Sequence, residues 1–466
     1  MPSQIIISNI SSSARLKYVK LGYQFLANHF IAWISVPILV ILFNQVLNRG
    51  NLEILALLNS SHYGHIQILC SFCFLIFLST LYKTSKWRTI YLVDFACYKA
   101  PAELRITFDT FIEHLKIILK SEPKSLEFQL KVLERAGLGE DTCLPSALHR
   151  LPPDPTLEAC REEAEMVIFS AMDSLFLKDS VKSFNILGMG CSASLISISL
   201  VRDLLQVHPS YNAVVVSAEL MTTIFYKGKE RSMLVPNCLF RMGGAAILLS
   251  TRRTFCNIRA KYRLLHLVRT HTADDDKSYN CVQLKEDSEG NLGAWLSKEL
   301  MAVAGKGLKL NLTALGPLVL PPSEKILYFM NFIARKISSR WRPYMPKFKQ
   351  AFEHFCIHAG GRAVIDGVQD SLQLSVEQVE ASRSTLHRFG NTSSSSLWYE
   401  MSYIEAKGRM KKGDRILQIS FGSGYKCNSA VWECAETVKI PTGDPWMDCI
   451  DKYPACVPQL IKSADQ

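Results

Sequence analysis

Much that would assign this 466-residue chain to a familiar class is missing from it. Lysine and arginine never gather into a dense stripe with interleaved aromatics, so a nucleic-acid surface is not expected. The 14 cysteines follow no regular framework. A chain of this length does not need disulfides to fold, and reduced thiols in a cytosolic setting are expected. Cys70 and Cys73 form a CxxC with no second pair, inside an apolar segment, and read as packing and not as a zinc site. No internal repeat is visible. Charge is also scarce: 20% of residues are charged against 48% hydrophobic. What charge there is leans basic, 53 Lys and Arg against 42 Asp and Glu, or +11. That balance suits an anionic membrane surface or phosphate-bearing small molecules.

The apolar excess is local. Phe30–Phe43 (FIAWISVPILVILF) is almost wholly apolar, and with its flanks, about 24–46, it reaches the ~20 residues of a membrane span. A second segment, 66–82, is similar but shorter. Pro37 kinks the first segment in a way that membrane helices tolerate. Arg15, Lys17 and Lys20 precede the pair, Lys83, Lys86 and Arg88 follow it, and only Arg49 lies between. Positive charge on both outer flanks predicts a transmembrane hairpin with both ends in the cytosol and the bulk of the chain cytosolic. A buried helical pair or a re-entrant hairpin is the alternative. No retention signal is visible, so the endoplasmic reticulum does not follow from this pattern.

Beyond residue 83 the chain reads as globular. Ala213–Ala218 (AVVVSA), Ala245–Leu249, Leu264–Val268 and Ile416–Ser420 are short apolar or β-branched runs suited to buried strands, the last after the turn-like Lys412-Gly413-Asp414. Between them Leu195, Ile198, Val201 and Leu205 share one helical face and Ile196, Leu200 and Leu204 an adjoining one, which predicts a central helix. Alternating strands and helices indicate an α/β architecture. Residues 323–348 mix apolar and basic side chains and read either as an amphipathic helix near a membrane or as an ordinary exposed helix.

Three stretches carry candidate chemistry. In NILGMGCSASL, Cys191 follows Gly188 and Gly190 and precedes the central helix. A thiol at a helix N-terminus is expected to have its pKa lowered from about 8.5, and the alternative is a small buried hydrophobe. In HFCIHAGG, His354, Cys356 and His358 share one face of a strand, as metal ligands would, but no distant CxxC or HxxxH completes a set. His358 otherwise reads as an active-site hydrogen-bond donor. In FGNTSSSSLW, Gly390 gives Asn391 a permissive turn, and the Ser/Thr run offers N-cap oxygens to a helix with apolar Leu397, Met401 and Ile404. Asn391 and Asn311 also head glycosylation sequons, which a cytosolic body makes coincidental.

The order Cys, His, Asn fits a papain-like protease, but the context, secretory route and disulfides such an enzyme wants are absent. It also fits decarboxylating condensing enzymes, and there the likeness is extensive. From YLVDFACY at 91–98 nearly to the C-terminus the chain resembles the plant 3-ketoacyl-CoA synthases, the condensing component of very-long-chain fatty acid elongation. The matching words include GMGCSA at 188–193, RSML at 231–234, FRMGGAA at 240–246, RTHTADD at 269–275, SKELMAVAG at 297–305, LGPLVLP at 315–321, EHFCIHAGGRAV at 353–364, RFGNTSSSSLWYE at 388–400 and FGSGYKCNSAVW at 421–432. The two-span N-terminus belongs to the same likeness. One departure is Ser194, where the family more often has glycine; it is expected to tune packing or an acyl tunnel without abolishing activity.

The resemblance implies a thiolase-like five-layered αβαβα condensing-enzyme fold behind a membrane anchor at 1–82, with halves at 83–290 and 291–466. It implies condensation of malonyl-CoA with a long-chain acyl-CoA to give a 3-oxoacyl-CoA two carbons longer, CoA and CO2. Cys191 would be the nucleophile, His358 and Asn391 the decarboxylation donors, and the turn holding Gly422 and Gly424 a source of oxyanion N–H groups. His271, His354 and His387 would be a supporting shell. No metal or redox cofactor is implied. A homodimer, reductase and dehydratase partners and an endoplasmic-reticulum membrane with a cytosolic catalytic body would follow. A soluble-type polyketide synthase on the same fold and a non-catalytic membrane scaffold are the competing readings.

Overall fold

The computed structural model describes residues 74, 88–120, 122–173, 183–252, 260–338, 341–342, 344–439 and 444–455. The expected hairpin, with Cys70 and Cys73, lies outside the described residues. The chain divides into two units at Arg88/Thr89, and the elements below belong to the second.

The strands are β1 (Tyr91–Cys97), β2 (Asn212–Glu219), β3 (Gly243–Ser250), β4 (Tyr262–His271), β5 (Val282–Glu286), β6 (Leu292–Leu296), β7 (His354–Ile357), β8 (Arg415–Gly422) and β9 (Lys426–Cys434). The longer helices are α1 (Phe108–Ile118), α2 (Pro123–Ala136), α3 (Leu157–Asp173), α4 (Ala193–Val207), α5 (Arg231–Leu239), α6 (Leu300–Val319), α7 (Pro322–Ile337), α8 (Arg362–Leu372), α9 (Glu380–Phe389) and α10 (Ser396–Ala406). All four expected strands are present as β2, β3, β4 and β8, and the expected central helix is α4.

Seven strands form one mixed sheet in the order β2-β3-β1-β4-β9-β8-β7, while β5 and β6 make a separate hairpin. Among the described strands of this sheet only the β7–β8 pairing is parallel. The antiparallel β4–β9 pairing runs from Tyr262↔Cys434 to His271↔Lys426 and joins the amino-terminal strands to the carboxy-terminal ones. β3 (GGAAILLS) is buried along nearly its whole length, as its small and apolar side chains require. Its two glycines admit neighbours on both sides: a Cβ at Gly243 would lie 2.5 Å from Thr392 Cγ2, and one at Gly244 2.5 Å from Val167 Cγ1.

One hydrophobic core unites Leu195, Ile198, Val201 and Leu205 of α4 with Trp398, Met401 and Ile404 of α10 and with sheet residues such as Ile247 and Trp432. Each such large side chain contributes on the order of 2 kcal/mol when withdrawn from water. Every residue of α10 is buried, so its acids need partners. Glu405 accepts from the Tyr262 hydroxyl at 2.7 Å and from Lys261 at 3.1 Å, and Glu400 from the Ser382 hydroxyl at 2.6 Å. A second core gathers Val303, Leu308 and Leu315 of α6, Ile365 and Val368 of α8 and Leu386 of α9 against Phe355, Ile357, Leu417 and Ile419 of the sheet. The stretch Gly190–Val207 is apolar and long enough to cross a membrane, but its helix is the core helix α4. The fold therefore delivers two buried helices, α4 and α10, whose N-termini carry Cys191 and the serine run.

Candidate active site

Cys191 sits in a single 3-10 turn, Gly190–Ser192, that feeds α4. The turn is pressed against the end of β8. A Cβ at Gly422 would fall 2.2 Å from Ser192 Oγ and 2.5 Å from Met189 O, and one at Gly190, whose φ is +56°, only 2.7 Å from Ser423 N. Glycine at these two positions is what lets the Cys191 turn and the β8–β9 turn touch. The residue as a whole is partly accessible, while its thiol is enclosed by protein. Burial first, and the Glu219 carboxyl second, push its pKa up to about 12, while hydrogen bonds from the Ser393 hydroxyl and a backbone N–H pull it back. The direction is opposite to the lowering expected from a helix N-terminus, because desolvation disfavours the thiolate.

His358 follows β7 and is buried, 4% exposed. Its backbone N–H donates to Ile419 O at 2.9 Å, and its Nδ1 lies 2.9 Å from Ser396 Oγ, the first residue of α10. Burial lowers its pKa to about 4, so the ring is uncharged at neutral pH. Nε2 points toward Gly360, where a Cβ would approach to 2.9 Å.

Asn391 is 3% exposed and pinned from several sides. Its N–H donates to Leu239 O and its carbonyl accepts from Arg241 N, each at 3.0 Å. Its side-chain Nδ2 donates to Gly360 O at 3.2 Å and its Oδ1 accepts from Ser393 N at 2.9 Å. The second Nδ2 hydrogen remains for another acceptor. Asn391 and Asn311, which each head a sequon, are both buried.

The serine run does not cap α10 as the sequence suggested. It forms a 3-10 turn over Ser393–Ser395, with Ser393 in the left-handed region at φ +55°, a costly conformation for a side chain with a Cβ. Each hydroxyl has its own task. The Ser393 hydroxyl favours the ionised forms of both the Cys191 thiol and the Glu219 carboxyl. Ser394 meets Ser217 of β2 at 2.6 Å, Ser395 donates to Thr392 O at 2.8 Å, and Ser396 holds His358. A series of bonds therefore runs from Ser393 N to Asn391, on to Gly360, from Gly360 N to His358 O, and from His358 to Ser396, and the Cys191 turn packs against the Ser393–Ser395 turn at its head.

Glu219, Ser393 and Ser396 were not singled out from sequence. The two serines lay inside a noted run but read as capping residues, and Glu219 sits just past the strand-like AVVVSA. Burial raises the Glu219 pKa to about 7.

The other candidates lie elsewhere. His354 begins β7, about four residues or ~13 Å along the strand from His358, and its Nε2 lies 2.9 Å from Asp414 Oδ2. His387, on α9, bonds the Tyr453 hydroxyl at 2.9 Å and meets that ring edge-on. His271 is exposed at the end of β4, beside Gly424, whose φ of +65° shapes the β8–β9 turn. Cys356 is fully buried in the core.

The sequence matches the family described as FAE1/Type III polyketide synthase-like protein over residues 82–181 and 176–337, and the 3-oxoacyl-[acyl-carrier-protein] synthase III C-terminal family over 349–434. The 3-ketoacyl-CoA synthase 5 of Arabidopsis thaliana is 56% identical, with 98% of this chain and 100% of that protein covered. The chain belongs to the 3-ketoacyl-CoA synthase family. The Arabidopsis 3-ketoacyl-CoA synthase 6 is likewise 56% identical, covering 98% of this chain and 99% of its own. Among solved structures this family member resembles CsyB complexed with CoA-SH, at 19% identity and a TM-score of 0.57, covering 74% of this chain and 100% of that one. It also resembles the C-terminal type III polyketide synthase domain of Steely1 from Dictyostelium, at 16% identity and 0.56, covering 74% and 99%. At these identities the likeness establishes a thiolase-like fold and nothing more.

Proposed function

We infer that the protein catalyses the decarboxylating condensation of malonyl-CoA with a long-chain acyl-CoA, yielding a 3-oxoacyl-CoA two carbons longer, CoA and CO2. Family membership supports the reaction. The observation that carries the residue roles is the packing of the Cys191 turn against the Ser393–Ser395 turn, together with the bonds from Asn391 to Ser393 N and Gly360 O, which gather residues 167 and 200 positions beyond Cys191 in sequence around one site.

Cys191 Sγ attacks the acyl thioester carbon, the carbon–sulfur bond to CoA breaks, and CoA leaves as the thiol with the proton that Cys191 gave up. The β8–β9 turn at Gly422 and Gly424 offers N–H groups to the oxyanion. Malonyl-CoA follows. With Ser396 donating to Nδ1, neutral His358 presents Nε2–H, and Asn391 presents its second amide hydrogen, both to the malonyl thioester oxygen. The bond to the carboxylate breaks, its electron pair forms the enolate, and CO2 departs. Two prepositioned donors aimed at that oxygen are worth about 3 kcal/mol each in the transition state. The enolate carbon attacks the acyl group, and Cys191 leaves as thiolate and is reprotonated. Decarboxylation supplies the carbanion, so the reaction calls for no redox cofactor or metal.

Around this chemistry we place a membrane anchor within 1–82, catalytic halves at about 83–290 and 291–466, an endoplasmic-reticulum location with a cytosolic body, a homodimer, and separate reductase and dehydratase partners. The test is trapping with radiolabelled acyl-CoA in microsomes. Cys191→Ala is expected to take no label and make no product. His358→Ala and Asn391→Ala should still load acyl chains while losing condensation by about 100-fold or more. Label on Cys191→Ala sinks the nucleophile assignment.

A further inference from the structure

Helix α7 is reversed relative to an ordinary surface helix. Its inward face is polar or small: Glu324 is 4% exposed, and Asn331 and Ala334 are half-buried. Glu324 accepts from the Tyr344 hydroxyl at 2.7 Å and from Lys347 N at 2.9 Å. Asn331 donates to Arg342 O at 3.0 Å and accepts from Tyr344 N at 2.8 Å. The helix is thus held by polar bonds to the segment that follows it. Its apolar stripe, Ile326, Phe329, Met330, Ile333 and Ile337, has helical spacing, and its members are 43% to 82% exposed. Trp341 and Met345 just beyond are exposed as well. Scattered single apolar residues on a surface are ordinary, but a contiguous stripe with no polar members marks an interface.

Charge selects the occupant. Between Pro322 and Gln350 the chain carries seven Lys or Arg and one acid, and that acid is the buried Glu324. Lys325, Arg335, Lys336 and Arg342 are exposed around the stripe, with Lys336 Nζ 5.9 Å from the Phe332 ring centre. Long basic side chains flanking an exposed apolar and aromatic face fit the headgroup–acyl boundary of a bilayer, where each cation contributes ~1 kcal/mol against anionic lipid. We propose that α7 lies in the interface of an anionic bilayer, its stripe turned into the acyl boundary and its cations against the headgroups. This gives the body its own membrane contact, independent of the amino-terminal segments and of the condensation chemistry.

The test uses the full chain reconstituted into phosphatidylcholine vesicles with and without phosphatidylserine. Benzoylphenylalanine is placed at Phe329, and in a separate protein at Val376, an exposed residue outside the stripe. Phospholipid adducts at position 329 are expected at least about fivefold above those at 376, falling about twofold or more without phosphatidylserine. Adducts to polypeptide at 329, or lipid adducts no higher than at 376, overturn the proposal in favour of a protein partner or a bare surface. Carbonate flotation of the same vesicles reads the amino-terminal anchor separately: loss of the chain there with adducts retained at neutral pH removes the anchor and leaves α7 standing.

Discussion

At the scale of single residues, the local field of a helix end and the cost of burial act on the same sulfur, and burial wins. The Cys191 thiol is held well above its ordinary range, up to about 12. Its reactivity in the free enzyme should therefore track hydroxide concentration. Alkylation by iodoacetamide at this site is expected to rise about tenfold per pH unit from pH 7 to pH 9 with no plateau. A plateau near neutral pH, read as a saturating inactivation rate, contradicts the burial argument. Ser194, three positions on, is 1% exposed, and its hydroxyl makes no hydrogen bond among the described residues. A buried, unpaired hydroxyl costs roughly 1–3 kcal/mol. Ser194→Ala keeps the helix propensity and removes the hydroxyl, so unfolding is expected to require about 1 kcal/mol more, with turnover close to unchanged. A stability loss measured by denaturant titration would mean that the hydroxyl has a partner in solution.

At the scale of elements, the site depends on how closely two turns approach. Gly422 ends β8 where any side chain would strike Ser192 Oγ and the Met189 carbonyl. Gly422→Ala must displace the Cys191 turn, and a displacement near 1 Å costs about 100-fold in rate. The expected result is a folded protein, with α4 and α10 still packed, whose acyl loading falls by that factor; unchanged loading would show that the turn yields freely. This is also the scale at which the sequence was most and least informative. Runs such as AVVVSA and ILQIS are legible because a strand buried on both faces has to be continuously apolar or small, and α4 because its apolar positions cover most of a helix. The serine run was misread for a physical reason. Ser and Thr ahead of an apolar helix look alike whether they cap it or reach sideways, and only the packing of β2, β7 and the Cys191 turn around Ser393–Ser396 decides between the two. Glu219 was invisible for a related reason: a single acid at the end of a strand is usually solvated, and here the fold covers it.

At the scale of the whole molecule, the same burial that shapes the site sets two opposed pH dependences of stability. The Glu219 pKa rises from 4.5 to about 7 in the folded state. Between those values the native protein holds a proton that the unfolded chain has lost, so this group's contribution falls as pH rises and stays low above about 7. The His358 pKa drops from 6.5 to about 4. Between those values the unfolded chain binds the extra proton, so this contribution rises with pH and is complete above 6.5. Each shift corresponds to at most about 3 kcal/mol, and over most of pH 4.5 to 6.5 the two slopes oppose each other. Removing either group exposes the other. Relative to the unmodified protein, Glu219→Gln should become progressively more stable as pH is raised from 4.5 to 7, and His358→Gln progressively less stable between pH 4 and 6.5. Both differences should level off above those windows. Denaturant midpoints collected across pH 4 to 8 on the three proteins read them directly. A pH-independent difference for Glu219→Gln would mean that its carboxyl reaches water in the folded state and keeps its ordinary pKa.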